Sequence, residues 1–181
     1  MDKPLAAMLA EDLDTGFTRL VTSHQNRLYA AALALTGCPG DAEEVTVDAF
    51  MRAHRALRRY PEQRIRELRV GAWLYRITVN AARNHIRGRR QATAHLDGVA
   101  EIAADGRLQP EVVAERAVDA AQLRSHLVAL PRHHREAVVL RHVRGMSYAE
   151  AADVLGRPVG TVKADVHRGL ARLRAALVEE S

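Results

Sequence analysis

Apolar residues recur at three- and four-residue steps through Phe17, Leu20, Val21, His24, Leu28, Ala32 and Leu35, which predicts a first long helix. Gly37, Pro39 and Gly40 break that run, and Asp41 is placed to cap a second helix whose Ala42, Val45, Ala49, Ala53 and Leu57 share one face. Acids cluster at its start and Arg55, Arg58 and Arg59 at its end, the order that complements a helix macrodipole. Tyr60-Pro61 ends it and an arginine-rich loop follows, after which Val70, Leu74, Ile77 and Ala81 open a third helix running to about Gly88. Periodicity then fails as far as Val113. Gly98, Gly106 and Pro110 interrupt this stretch, and Asp97, Glu101, Asp105 and Glu111 outweigh Arg107, the composition of a flexible acidic linker. Helical spacing returns over Ala114 to Leu130.

The C-terminal third carries its own punctuation. Ser147 caps a short helix over Tyr148 to Leu155, Gly156 stops it, and Pro158, Gly160 and Thr161 supply a turn and the next N-cap. Val162, Val166, Leu170, Leu173 and Leu177 then form the buried stripe of a second helix, leaving Lys163, Ala164, His167 and Arg168 outward. Two helices joined by a tight turn, the second with a cationic outer face, form a helix-turn-helix able to enter a major groove. The expected fold is all-α, with two small helical domains: a tail over 1–14, a bundle over 15–88, a linker over 89–113 and a helix-turn-helix domain over 114–181. Ser181 follows closely on the last helix, so no further C-terminal domain is expected.

Composition sharpens this picture. Of 181 residues 48% are hydrophobic, enough for two modest helical cores, and the net charge of +5 favours a polyanionic partner. The distribution says more than the sum: arginines at 52, 55, 58, 59, 64, 66, 69, 76, 83, 87, 89 and 90 face only Glu62 and Glu67 between Met51 and Arg90. A single cysteine, Cys38, excludes an internal disulfide and suits a reducing compartment. The apolar run Leu5 to Ala10 is too short for a membrane span and is cut by Glu11 and Asp12, so no membrane insertion and a cytoplasmic location are expected.

Two strings resemble one known family. Leu130-Pro131, Arg135-Glu136, Leu140-Arg141, Gly145-Met146-Ser147-Tyr148 and Gly160-Thr161-Val162-Lys163 are similar to the C-terminal DNA-binding domain of bacterial sigma factors of the extracytoplasmic-function group of the sigma-70 family. Asp41 to Glu44, Asp48 to Ala53, Trp73 to Ile77 and Asn80 resemble the N-terminal domain of the same family, in the expected order. The resemblance implies a factor that binds core RNA polymerase, recognises minus-thirty-five duplex with its helix-turn-helix and captures the melted minus-ten strand with its N-terminal domain. An anti-sigma protein is the partner that the resemblance implies for its control.

Candidate residues follow from pattern and resemblance together. Trp73, Arg76, Asn80, Arg83, Asn84 and Arg87 make one stripe of the third helix; guanidiniums track phosphate and amides read unstacked base edges, which suits single-stranded DNA. A solvated charged face is the other reading, and Trp73 is read as core. By resemblance Asp41, Glu44, Asp48, Phe50, Met51, Arg52 and Arg55 dock on polymerase, although Val47 stands where relatives often carry glutamine. Thr161 and Lys163 suit phosphate, and His167 and Arg168 suit base edges or backbone. Asn84 replaces a common aspartate, and Ala164-Asp165 replaces the family's usual serine-arginine, so Asp165 either alters the preferred sequence or faces away.

Catalysis finds no constellation. No nucleophile is set beside a base, no glycine loop suits phosphate, and the adjacent His133 and His134 have no carboxylate at a metal-ligand spacing; neither metal nor cofactor is expected. Two other readings stay open: a free-standing helix-turn-helix regulator, which would need a dimer seam or ligand pocket although no heptad run is visible, and a sigma-like protein that titrates polymerase.

Overall fold

The computed structural model describes the backbone of residues 2–95 and 112–179, with side chains over 4–92 and 120–178, and every element among these residues is helical. Nine α-helices follow in chain order: α1 Asp2–Glu11, α2 Leu13–Thr36, α3 Pro39–Leu57, α4 Glu62–Arg66, α5 Val70–His95, α6 Val112–Ala129, α7 Arg132–Val138, α8 Tyr148–Leu155 and α9 Val159–Glu179. A single π turn over Val139–Val143 extends α7.

The N-terminal half is a bundle in which α2, α3 and α5 pack around Leu20, Leu28, Val45, Leu57, Val70, Leu74 and Val79, all essentially inaccessible. The spacing of the apolar positions selects this core, and chemistry at the ends sets the boundaries. Asp12 accepts hydrogen bonds from the backbone N–H groups of Asp14 and Thr15 to start α2, and Gly37, at φ +81°, closes it in the left-handed region. Pro39 occupies the first position of α3, where its missing N–H costs nothing, so this helix begins two residues before the expected cap at Asp41.

Three sequence expectations need correction here. Residues 2–11 are no tail: α1 buries Leu5, Ala6 and Leu9 against α2 and α4, so the short apolar run is one face of a docked helix. The arginine-rich loop after Pro61 contains α4, with Ile65 turned into the core and Arg66 bonded to Glu62 one turn back. Gly88 does not end the third helix, which continues to His95; a mid-helix glycine costs only about 1 kcal/mol, and Arg89 is fastened to Asp41 of α3. Of the expected linker, 89–95 is therefore helical, 112–113 opens α6, and 96–111 lie outside the described residues.

The α1–α2 crossing is tight. A Cβ built on the buried Gly16 would lie 2.7 Å from Leu9 Cα and 2.8 Å from Leu9 N, atoms that no rotamer change can move. Gly16→Ala is expected to lift α1 from the bundle at a cost of about 2–3 kcal/mol, read as a lower urea midpoint and faster proteolysis within the first fifteen residues. An unchanged midpoint would mean that α1 is not docked in solution.

In the C-terminal half, α7 crosses α9, and α8 closes over both around Val138, Val139, Leu140, Val154, Leu155, Val162 and Val166. Ser147 and Glu150 form a reciprocal capping box at the start of α8, and Gly156, at φ +65°, ends it, both where the sequence placed them. The next helix starts earlier than expected, at Val159, so Thr161 lies inside the first turn of α9 instead of capping it. Leu177 is 43% exposed and leaves the expected stripe one turn early.

The halves pack against each other through α5 on α8 and α2 on α6. Arg135 of α7 donates to the carbonyl of Leu35 at the end of α2 (2.6 Å) and to those of Val128 and Leu130 at the end of α6, so one cation serves the carbonyl ends of two helices.

Candidate nucleic-acid interface

Helix α5 supplies the first surface. Its polar stripe is arranged as a ladder: Arg83 Nη1 donates to Asn80 Oδ1 and Arg87 Nη2 to Asn84 Oδ1, each 3.2 Å and three residues apart. Asn80, Asn84 and Arg87 are exposed, so amides and a guanidinium are presented in register along about two turns. Trp73 is half-buried, its ring 6.2 Å from that of Tyr60 at the core margin, in keeping with a packing role.

The other two members of the stripe are engaged elsewhere. Arg83 forms a fork with Glu136 of α7, Nε to Oε1 at 2.8 Å and Nη2 to Oε2 at 2.7 Å, and Arg76 donates to the carbonyl of Asp153 in α8 at 2.5 Å. Arg69 reaches Glu150 at 3.0 Å and Asp153 at 3.5 Å, while Arg144 donates to the hydroxyl of Tyr75 at 2.6 Å. Hydrogen bonds from Ser147, with Arg69 nearby, hold the Glu150 carboxyl below the usual carboxylate range. The basic face of α5 is thus divided: Arg76 and Arg83 are engaged with the C-terminal half, while Asn84 and Arg87 further along are exposed.

Helix α9 supplies the second surface. Thr161, Lys163, His167 and Arg168 are all exposed, while Val162 and Val166 are fully buried beneath them. Asp165 resolves the choice left by the sequence, because its side chain is 3% exposed and faces the protein. It accepts from Arg157 Nη1 at 2.7 Å and from Arg168 Nη2 at 3.3 Å, and Arg157 Nη2 continues to Glu136 Oε2 at 2.8 Å. A chain of charges therefore runs from Arg83 in the N-terminal half through Glu136, Arg157 and Asp165 to Arg168 on the outer face.

Folding also brings His133, His134 and Asp165 together with ligand atoms within 4.8 Å, supplying the carboxylate that linear spacing concealed. Two guanidiniums already occupy that carboxylate, so a cation there would displace or face both. Burial, with repulsion from His133 next, pushes the His134 imidazole below its ordinary 6.5, and Asp165 offsets only part of this. Since the unfolded chain then binds the extra proton more readily, this contribution to stability is complete above about 6.5 and declines as pH falls through the folded value. The melting temperature is expected to drop between pH 7.5 and 5, and His134→Gln to flatten that slope; equal slopes would sink the assignment.

The third surface is the outer face of α3. Val47 (63% exposed) and Met51 (55% exposed) lie one turn apart beside Phe50, whose ring meets Phe17 edge-on at 6.4 Å. Asp48 pairs with Arg52 at 2.7 Å, Arg55 Nε donates to the Met51 carbonyl, and Glu44 is exposed. Asp41 departs from this group: it is turned toward α5, bonded to Arg89 and 3.1 Å from His85 Nε2. Sequence reasoning missed Glu136, Arg157 and Arg69 as a group. Glu136, a lone acid directly ahead of the apolar run Ala137 to Leu140, was the one visible sign of a buried charge.

Comparison with known proteins agrees with this geometry. The family model for Sigma-70 region 2 matches residues 20–92 and that for Sigma-70, region 4 matches 120–173. The ECF RNA polymerase sigma factor SigE of Mycolicibacterium smegmatis is 34% identical over 90% of this chain, which spans 62% of that relative's length. The ECF RNA polymerase sigma-E factor of Escherichia coli K12 is 30% identical over 92% of this chain and 89% of its own. Among solved structures, CnrH in complex with the cytosolic domain of CnrY superposes with a TM-score of 0.73 at 29% identity, covering 99% of both chains. The sigma factor RpoE in complex with the anti-sigma factor NepR from Bartonella quintana gives 0.70 at 26% identity over 89% of this chain and 96% of its own. With its two matched regions on the two halves, the chain belongs to the sigma-70 family as an ECF sigma factor, which directs RNA polymerase to promoters for transcription initiation.

Proposed function

We propose that each of the three surfaces has one task in initiation. Helix α3 docks on core polymerase through Val47, Phe50 and Met51, with Glu44, Asp48, Arg52 and Arg55 setting register at the rim. Asn80, Asn84 and Arg87 of α5 take the melted minus-ten strand, and Thr161, Lys163, His167 and Arg168 of α9 take the minus-thirty-five duplex. The observation that carries this division is the arginine–asparagine ladder of α5, whose open amides and guanidinium suit unpaired bases and phosphate together.

Arg76 and Arg83 complete the strand-binding stripe only when α5 leaves the helix-turn-helix, so promoter engagement requires the two halves to separate. Polymerase, holding each half at its own site, supplies the effective concentration that two weak DNA contacts lack alone. RNA synthesis belongs to the polymerase, and this chain acts in the cytoplasm as a binding factor without catalysis of its own. By analogy with CnrH and RpoE, whose structures contain CnrY and the anti-sigma factor NepR, a protein of that kind holds this chain inactive.

Run-off transcription with bacterial core polymerase on fragmented genomic DNA tests the reading. Discrete starts sharing upstream motifs are expected with the protein and not with core alone; polymerase binding without starts would replace it with a titrating role. On any promoter so found, Lys163→Ala is expected to weaken binding about evenly across sequences and lower the salt slope by roughly 1. A sequence-dependent loss would instead make Lys163 a base reader.

A further inference from the structure

We propose that Asp165 is a positioning residue for sequence readout: its buried carboxylate holds the Arg168 guanidinium so that its free donors address a single guanine of the upstream duplex. This rests on the initiation reading and assigns a source of its specificity. An aspartate three residues before an exposed arginine on a recognition helix would ordinarily repel phosphate, but here only 3% of its side chain is accessible, so it meets no DNA. Its Oδ2 is fixed by Arg157 Nη1 at 2.7 Å, and Arg157 is itself fixed by the buried Glu136 at 2.8 Å. The other oxygen, Oδ1, faces outward only as far as Arg168 Nη2 at 3.3 Å.

The carboxylate is held from behind by Arg157, in the turn between α8 and α9, which is itself pinned by Glu136 of α7. His134 packs on the same oxygen, Nε2 at 3.8 Å, from the α7 side. Arg168 by contrast is 61% exposed, a long side chain that would sample many rotamers if it were not held. Nη2 carries two hydrogens, one on each donor edge of the planar fork, so tethering one of them leaves the other edge, with the second Nη2 hydrogen and its neighbouring N–H, free for O6 and N7 of guanine. Orientation by a second group behind the contacting one is how a flexible donor becomes selective. Ala164 thus sets a small residue beside the groove and Asp165 a buried anchor behind Arg168.

The test uses full-length protein with core polymerase on a promoter library randomised in the upstream duplex, with transcripts sequenced to give the base preference at each position. Wild-type protein is expected to prefer guanine at one position, and Arg168→Lys to reduce that preference roughly 5- to 150-fold, the span of one bidentate arginine contact. Arg168→Lys keeps the charge on an exposed site, so it reads the fork without threatening the fold. Asp165→Asn is expected to weaken preference at that same position and at no other, with no additional effect in the Arg168→Lys background. Three results would overturn the assignment: an even loss across all sequences in Asp165→Asn, an unchanged profile in Arg168→Lys, or additive effects in the double variant. Wild-type protein that starts no transcripts would overturn the initiation reading itself, and this proposal with it.

Discussion

Glu136→Gln is expected to lower the melting temperature of the C-terminal half by roughly 12–24 °C, from about 3 kcal/mol lost at 4–8 °C per kcal/mol in a small domain. The carboxylate is 3% exposed and takes hydrogen bonds from Arg83 and Arg157, with Arg132 3.7 Å away. Removing one member of a buried ion network leaves the others desolvated without a counter-charge, which costs about 3–5 kcal/mol. Arg83 is 28% and Arg157 22% exposed, so water reaches part of each and the lower end of that range applies. Circular dichroism melts provide the measurement, and small-angle scattering should show a larger radius because Arg83 is released with the carboxylate. A melting temperature within 3 °C of wild type would mean that the network is not formed in solution.

The same network shows where sequence was sufficient and where it was not. Core positions such as Leu28, Val45, Leu74 and Val162 were legible because burial imposes a period that one strand of text carries. The capping residues Ser147 and Gly156 were legible for a similar reason, since the groups they satisfy lie within four residues. Ion pairs across the two halves have no such signature: Arg83 and Glu136 are 53 residues apart, and Arg69 and Glu150 are 81 apart. The sequence read the arginines between Met51 and Arg90 as one cation for one polyanion. Folding divides them, with Arg52, Arg66, Arg69, Arg83 and Arg89 paired to carboxylates and Arg64 stacked 3.9 Å over Tyr60. The helix over 2–11 escaped notice because ten residues with three buried apolar positions make a weak pattern, and its stability comes from docking on α2 and α4.

That division also limits how many cations of this basic stretch are free to meet DNA while the halves are together. Contacts between the halves engage Arg69 with Glu150 and Asp153, Arg83 with Glu136 of α7 and Arg76 with the Asp153 carbonyl, so Arg69 and Arg83 are paired with carboxylates while the halves are together. In the proposed reading, binding polymerase is therefore the step on which promoter engagement depends, and α3 is the surface assigned to it.

Met51→Glu is accordingly expected to reduce affinity for core polymerase by about 100-fold, the loss of one central anchor worth roughly 2–3 kcal/mol. Met51 and Val47 are the exposed apolar pair of α3, and methionine adapts its unbranched chain to an irregular partner surface. Around them Asp48–Arg52 provides a charged rim already internally paired, which contributes register more than affinity. A carboxylate at Met51 would be desolvated against the partner with no cation assigned to it, whereas in the free protein it stays in water, so the melting temperature should shift by less than about 2 °C. Fluorescence anisotropy of the protein labelled at Cys38, titrated with core polymerase, separates the two quantities. A matching loss of affinity and of initiation, with the fold intact, assigns α3 as the docking face; unchanged affinity would move that face elsewhere on the bundle, with the Glu44 end of α3 next to be tested.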